Sequence, residues 1–169
     1  MITPSYVQTM TSYNAEMNRR IFAAASRVTD TERKADRGAF FKSIHGTLVH
    51  LLWGDRTWMS RFDGWPKPTM GAKDSPSMIG TFEELLEQRV KADTDMQDWA
   101  KRIAPEWLEE NMIWFSDALQ REMRLPRGFL VAHLLNHQTH HRGQVHAMLT
   151  ACGQATGDTD LFLVVEPAV

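Results

Sequence analysis

Apolar residues return every three or four positions through most of this chain, and that period commits it to helices. Tyr6, Met10, Tyr13, Met17, Ile21 and Ala24 draw one apolar face, because residues three and four apart share a side of a 3.6-residue turn. Thr3 is placed to cap this first helix and Pro4 to open it, since proline's missing N–H is not needed in the first turn. The pattern fades near Val28, and Thr29 with Glu32 caps a short turn that stops at Gly38. A second helix is expected from about residue 40 to 62. Phe41, Ile44, Leu48, Leu52, Met59 and Phe62 form its bulky stripe, with Asp55 the one polar interruption. The stretch D-G-W-P-K-P-T-M-G-A-K-D-S-P-S-M-I-G that follows is too rich in proline and glycine to stay helical. A loop of this length is uncommon in a compact domain and often serves as a lid or binding segment.

Thr81 and Glu84 make a capping box for a third helix, whose buried side is marked by Phe82, Leu85, Leu86, Met96, Ala100 and Ile103. Pro105 ends it. Residues 112–126 read as partly extended, and from about residue 127 to 151 the helical pattern returns, closed by Gly153. The apolar tail at 161–165 is expected to pack back onto the helices. Little room remains for a sheet, and no repeat or linker divides the 169 residues. The expectation is a single all-α domain over 1–169, a four-helix bundle with a long loop between helices 2 and 3.

Composition bounds the partners. Hydrophobic residues at 43% and charged residues at 24% are globular proportions. A net charge of −2 leaves no cationic surplus to neutralise phosphates, so nucleic acid is not an expected partner. The lone cysteine, Cys152, excludes an intrachain disulfide and a multi-thiolate zinc site. It closes a helix C-terminus, where the dipole disfavours a thiolate, so it reads as a small structural residue rather than a nucleophile. No apolar run approaches the roughly 20 residues that span a bilayer. The opening M-I-T-P-S-Y has no basic segment followed by an apolar run, so a cytoplasmic protein is expected.

The histidines are unevenly placed. His133, His137, His140, His141 and His146 crowd the last long helix, while His45 and His50 stand on the second. His133, His137 and His141 follow at four-residue steps and form one stripe, continued by Gln144 and Met148. Two imidazoles at i and i+4 can reach one metal ion. His140 also neighbours His137, and on geometry the choice between His140 and His141 stays open. A third ligand must come from elsewhere, and His50 is the candidate. It lies opposite the bulky stripe among Gly46, Thr47, Gly54 and Thr57, small residues that either leave room for an ion and substrate or mark an exposed face. His45 falls beside the stripe and reads as a core histidine. Three histidines from two helices would leave an open coordination position, as in catalytic rather than structural sites. The competing reading is that these histidines are packing and surface residues with no metal.

Other chemistries lack their residues. The chain has no H-E-x-x-H, no Glu-x-x-His, no G-x-G-x-x-G, no Walker loop and no G-x-S-x-G, which sets aside zinc-protease, di-iron, nucleotide-fold and serine-hydrolase readings. Arg89 and Asp93, four apart inside the third helix's apolar stripe, read as a partly buried ion pair. Arg142 is expected in a salt bridge on the outside of the bundle. Trp53, one turn from His50, is the tryptophan expected to line a pocket; Trp58, Trp107 and Trp114 read as core or dimer contacts.

The string N-H-Q-T-H-H-R-G-Q at 136–144 resembles the signature of the DinB (damage-inducible) family. So does T-L-V-H-L-L-W-G-D-R-T-W at 47–58, and Y-N-x-x-x-N at 13–18 is similar to the family's first helix. The three stretches fall in family order, and the resemblance spans nearly the whole chain. It implies a four-helix bundle, often a homodimer, with a divalent transition metal held by three histidines. On matching positions those ligands are His50, His137 and His141, with His140 a neighbour and His133 one turn away. Imidazole suits several metals; zinc and nickel are the first expectation. Related S-transferases use low-molecular-weight thiols, so the resemblance points to a metal-dependent enzyme of thiol S-transferase or hydrolase type acting on a small molecule. The alternative is a non-catalytic metal-binding stress-response protein. DNA repair, suggested by the family's name, is opposed by the acidic charge balance.

Overall fold

The computed structural model of the chain describes residues 1–117 and 119–168. Four long helices dominate: α1 (Pro4–Ala25), α3 (Ile44–Phe62), α4 (Phe82–Ala100) and α6 (Arg127–Ala151). Shorter pieces join them, namely α2 (Asp30–Lys34), a 3-10 turn (Ser75–Ser77), α5 (Pro105–Glu109) and a terminal α7 (Leu161–Val164). Helices α1 and α3 each pack against both α4 and α6, which lets all four apolar stripes face inward. Two apolar clusters fill the interior. Ile21, Leu48, Leu52, Leu85 and Val145 belong to one; Val7, Met59, Met96 and Leu134 belong to the other. Between them each long helix carries buried polar side chains: Asn14 and Asn18 in α1, Asp55 in α3, Arg89 in α4, Gln138 and Arg142 in α6.

Side-chain caps set the helix starts. Thr3 accepts from Tyr6 N at 3.1 Å, and the Thr29–Glu32 pair forms a complete capping box. Thr81 accepts from Glu84 N at 3.3 Å, a cap without the return bond that a box would add. Helix α1 stops at Ala25, earlier than its apolar pattern, because Arg27 N and Val28 N bond back to Ala24 O and Ala25 O in a tighter turn. Helix α3 starts at Ile44 rather than near residue 40. Lys42 has a φ of 65°, which no right-handed helix accommodates, and Ser43 caps the helix by accepting from Gly46 N at 3.0 Å. Phe41 is thereby released from the helix. At the other end of the fold, Gly153 adopts a φ of 74° and closes α6, with Gln154 N bonding back to Leu149 O.

The fold is mostly helical, as expected, but it includes a sheet where little room was foreseen. Strands β1 (Asn111–Ser116) and β2 (Arg121–Pro126) pair antiparallel, Asn111 opposite Pro126 and Ser116 opposite Arg121. Met112 and Trp114 turn toward the second apolar cluster, while Ile113 and Phe115 are exposed, the two-residue alternation of a half-buried strand. The tail also differs from expectation. It lies along α1, but through polar contacts: Tyr13 Oη donates to Thr159 O at 2.6 Å and Ala168 N to Thr9 Oγ1 at 2.8 Å. Its apolar residues Leu161, Phe162 and Leu163 face outward. Among the described residues no helix is long and apolar enough to cross a membrane.

Candidate metal centre

Helix α3 contributes His50, and one face of α6 contributes His137 and His141. Nitrogens of the three imidazoles lie within 4.8 Å of one another, and His50 Nε2 is 3.0 Å from His137 Nε2. Ligand nitrogens about 2.0–2.1 Å from one tetrahedral ion are roughly 3.3 Å apart. The His50–His137 separation is close to that, and the wider spacing within the trio must close by up to about 1.5 Å for all three to share an ion. Burial and the neighbouring imidazoles keep the rings neutral. Burial above all, with His137 and His141 adding to it, pushes His50 down to about 3. His137 is pushed down to about 4 by burial and by His141 and its other histidine neighbours. Burial also lowers His141. A neutral imidazole is the form that binds metal.

Hydrogen bonds on the outer nitrogens fix which nitrogen His50 and His141 turn inward, whereas His137 Nδ1 is buried with no partner among the described residues. Ser75 Oγ spends its one hydrogen on Ala72 O, 2.6 Å away, so at 2.8 Å it accepts from His50 Nδ1. The His50 lone pair is then on Nε2, facing His137. Gln144 Oε1 accepts from His141 Nδ1 at 2.9 Å, which leaves His141 Nε2 its lone pair. The same amide donates through its nitrogen to His140 Nε2 at 3.2 Å, so His140 orients the group that orients His141. Such outer bonds are what metal-ligating imidazoles require. The donor set fits a divalent transition metal ion.

The small residues around His50 do not open a void. A Cβ on Gly54 would stand 3.0 Å from His137 Cε1, and one on Gly46 only 2.6 Å from Phe41 O. The glycines admit His137 and the Phe41 backbone. Phe41, freed from α3, stacks on His50 with centroids 3.7 Å apart, and Trp53 lies 5.4 Å away in a similar plane. Trp53 Nε1 donates to Met70 O at 2.9 Å, so the long loop is tied to this centre through both Trp53 and Ser75. Among the described residues no carboxylate bonds to the three histidines.

The other histidines sort by contact. His45 is buried and bonds through Nε2 to Ile79 O at 2.9 Å, a core histidine as expected. His133 stands apart from the three, its ring edge-on to Trp58 at 5.2 Å and 6.3 Å from His137. His146 bonds Thr156 Oγ1 at 2.7 Å. Arg89 and Asp93 do pair, at 2.8 Å, and Arg89 also donates to Asp55, which α3 supplies. Burial alone would lower the Arg89 pKa, but Asp93 and Asp55 hold it above the usual value. Arg142 is not on the outside. It is buried in the interior, its guanidinium 5.6 Å from the Tyr13 ring, and makes no ion pair within 4 Å among the described residues. Residues 142 and 141 of a helix point about 100° apart, so a histidine turned to α3 sends its neighbour toward α1.

Phe41, Ser75 and Gln138 escaped sequence reasoning. Gln138 Nε2 donates to Leu51 O at 3.2 Å and also to Asp55, bracing α6 on α3 beside His137. Its place inside the 136–144 string was the available signal. Ser75 lies in a loop where no period marks it, and Phe41, read as part of the second helix's apolar stripe, lies before that helix begins. Over residues 1–168 the chain matches the sequence model described as DinB family. Among curated proteins, Protein DinB of Bacillus subtilis (strain 168) is 26% identical over 160 residues, covering 89% of this chain and 88% of that protein.

Proposed function

Since the chain belongs to the DinB family, we propose that His50, His137 and His141 hold one divalent transition metal ion, zinc or nickel, in an enzyme of thiol S-transferase or hydrolase type. The observation that carries this reading is the convergence of three imidazole nitrogens within 4.8 Å, with outer hydrogen bonds on His50 and His141. When bound, such an ion supplies Lewis acidity at an open position and lowers the pKa of a thiol or water that reaches it. The chain's residues supply geometry and shelter. Ser75 and Gln144 hold the ring orientations, and Phe41 and Trp53 flank His50 and keep bulk water from it. Among the described residues no carboxylate bonds to the triad, so the chain itself would contribute orientation rather than a carboxylate base. A low-molecular-weight thiol is the fitting co-substrate, with a second small molecule as acceptor. A cytoplasmic homodimer of single four-helix-bundle domains over 1–169 completes the proposal, and four mutually packed long helices support its bundle part.

Elemental analysis of untagged protein tests the site. One ion per chain is expected, lost in His50→Ala, His137→Ala and His141→Ala and retained in His45→Ala and His146→Ala. Equal loss from His140→Ala and His141→Ala would overturn the ligand set. Absence of any ion, with no uptake on reconstitution, would remove the enzyme reading as well. Thiol-transfer and hydrolase assays with the bound metal then decide the reaction type.

A further inference from the structure

The loop between α3 and α4 borders an open-sided cleft of about 500 Å³, and none of the three histidines lines it. Trp65, Pro66, Pro68, Met70 and Met78 give it an apolar wall. The volume falls within the roughly 300–1,000 Å³ of small-molecule sites, which are mostly apolar with a few placed polar groups. Here those groups are Arg56 from α3, Lys67 from the loop, and Gln88, Lys91 and Asp95 from α4. Lys91 is satisfied by Asp95 at 2.6 Å. Arg56 is half-buried, and among the described residues its guanidinium has no hydrogen bond and no ion pair within 4 Å. Three cations face one carboxylate in this cleft, although the chain carries a net charge of −2. Gln88 adds an unmatched acceptor: its Nε2 donates to Glu84 at 2.7 Å, while its Oε1 is buried with no partner among the described residues.

We propose that this cleft binds a small organic anion with a flat apolar body, a carboxylate or sulfonate head meeting Arg56. Trp65 and the two methionines take the body, and a hydroxyl or N–H on the ligand satisfies Gln88 Oε1. Charge complementarity selects this class over a neutral lipid or a peptide strand. The unpaired guanidinium asks for an anion, and a cleft of about 500 Å³ admits a body of two to three rings. The inference does not depend on the metal reading, since the lining residues are separate from the histidines.

The test is a titration of the full chain with anilinonaphthalene sulfonate, followed by fluorescence and by methionine-methyl NMR. Saturable binding is expected, with shifts concentrated at the Met70 and Met78 methyls among the ten methionines. Arg56→Gln weakens the sulfonate about tenfold and leaves the uncharged analogue phenylnaphthylamine unaffected. Lys67→Gln, at the exposed rim, weakens it about threefold. Shifts that leave Met70 and Met78 unmoved would overturn the proposal, whatever the variants do. So would equal sulfonate affinity in a folded Arg56→Gln.

Discussion

His50 is 3% exposed, and among the described residues no acid bonds to it, so protonating it in the folded protein means burying a cation next to two other imidazoles. Its pKa of about 3 and the value of about 4 at His137 therefore have a consequence for stability. In the unfolded chain both rings take a proton near 6.5. Between that value and the folded ones the unfolded state binds more protons, so stability rises with pH in this window. The contribution is complete above about pH 6.5 and is lost progressively as pH falls toward 3–4. Metal-free protein should show a melting temperature that declines steeply from pH 7 to pH 4, and His50→Gln/His137→Gln should flatten that decline. Parallel curves for the two proteins would mean that the rings are not held neutral by burial. The clustering of these two residues with His141 was legible because i,i+4 spacing fixes a shared helix face for His137 and His141, the small residues around His50 made it the candidate on the second helix, and the resemblance to a family chose His141 over His140. Ser75 was not, since an aperiodic loop reveals no neighbour until the chain around it has folded. Arg142 was misread as an outer residue because its partner, the Tyr13 ring, lies across the interior on α1.

Helices α3 and α6 meet where Gly54 faces the His137 ring, and this close approach helps set the distance between the His50 and His137 rings. A methyl at residue 54 would lie 3.0 Å from His137 Cε1, a contact that only a shift of the ring relieves. Alanine also favours the helix by about 1 kcal/mol over glycine. Gly54→Ala should therefore leave the metal-free melting temperature unchanged or higher while weakening metal binding about tenfold, the lower end of what misoriented ligands cost. Competition with a chromophoric chelator measures the second quantity. Unaltered metal affinity would show that the ring tolerates the methyl and that the close approach does not position it. At this scale the four long helices were readable from period alone. The start of α3 was not, because the apolar stripe runs through Phe41 while the positive φ of Lys42 breaks the helix. The hairpin was half-readable. Its two-residue alternation over Met112 to Phe115 is short, and only packing against Trp58 at 6.0 Å and the second apolar cluster decides it.

Across the molecule, the two apolar clusters are separated by a polar layer to which every long helix contributes. Asn18 donates to Asp93 at 2.9 Å, Arg89 joins Asp93 to Asp55, and Gln138 ties Asp55 to α6. Periodicity in the sequence identified Asp55 as an interruption and Arg89–Asp93 as a pair, but a period names a face and never the partner across it. Two guanidinium groups, Arg89 and Arg142, balance the two carboxylates in this layer. Arg142, though pushed down to about 10 by burial, keeps its charge at neutral pH. A helix that slid by one turn would strand one of these charges in an apolar cluster, so the layer fixes the helix register on which the His50–His137 distance depends. Arg89→Leu removes the hub and leaves Asp55 and Asp93 without their nearest cation. Removing one partner of a buried pair costs about 3–5 kcal/mol, and urea unfolding at pH 8 should show a loss of that size. The pH dependence has a definite sign. Burial already raises the pKa of Asp55 and Asp93 with Arg89 beside them; without its charge they rise further, so the variant regains stability relative to the parent as pH falls from 8 toward 5. A deficit below about 1 kcal/mol, unchanged between those two pH values, would mean that the apolar clusters set the register without the charges, since a surface-like pair costs no more than that.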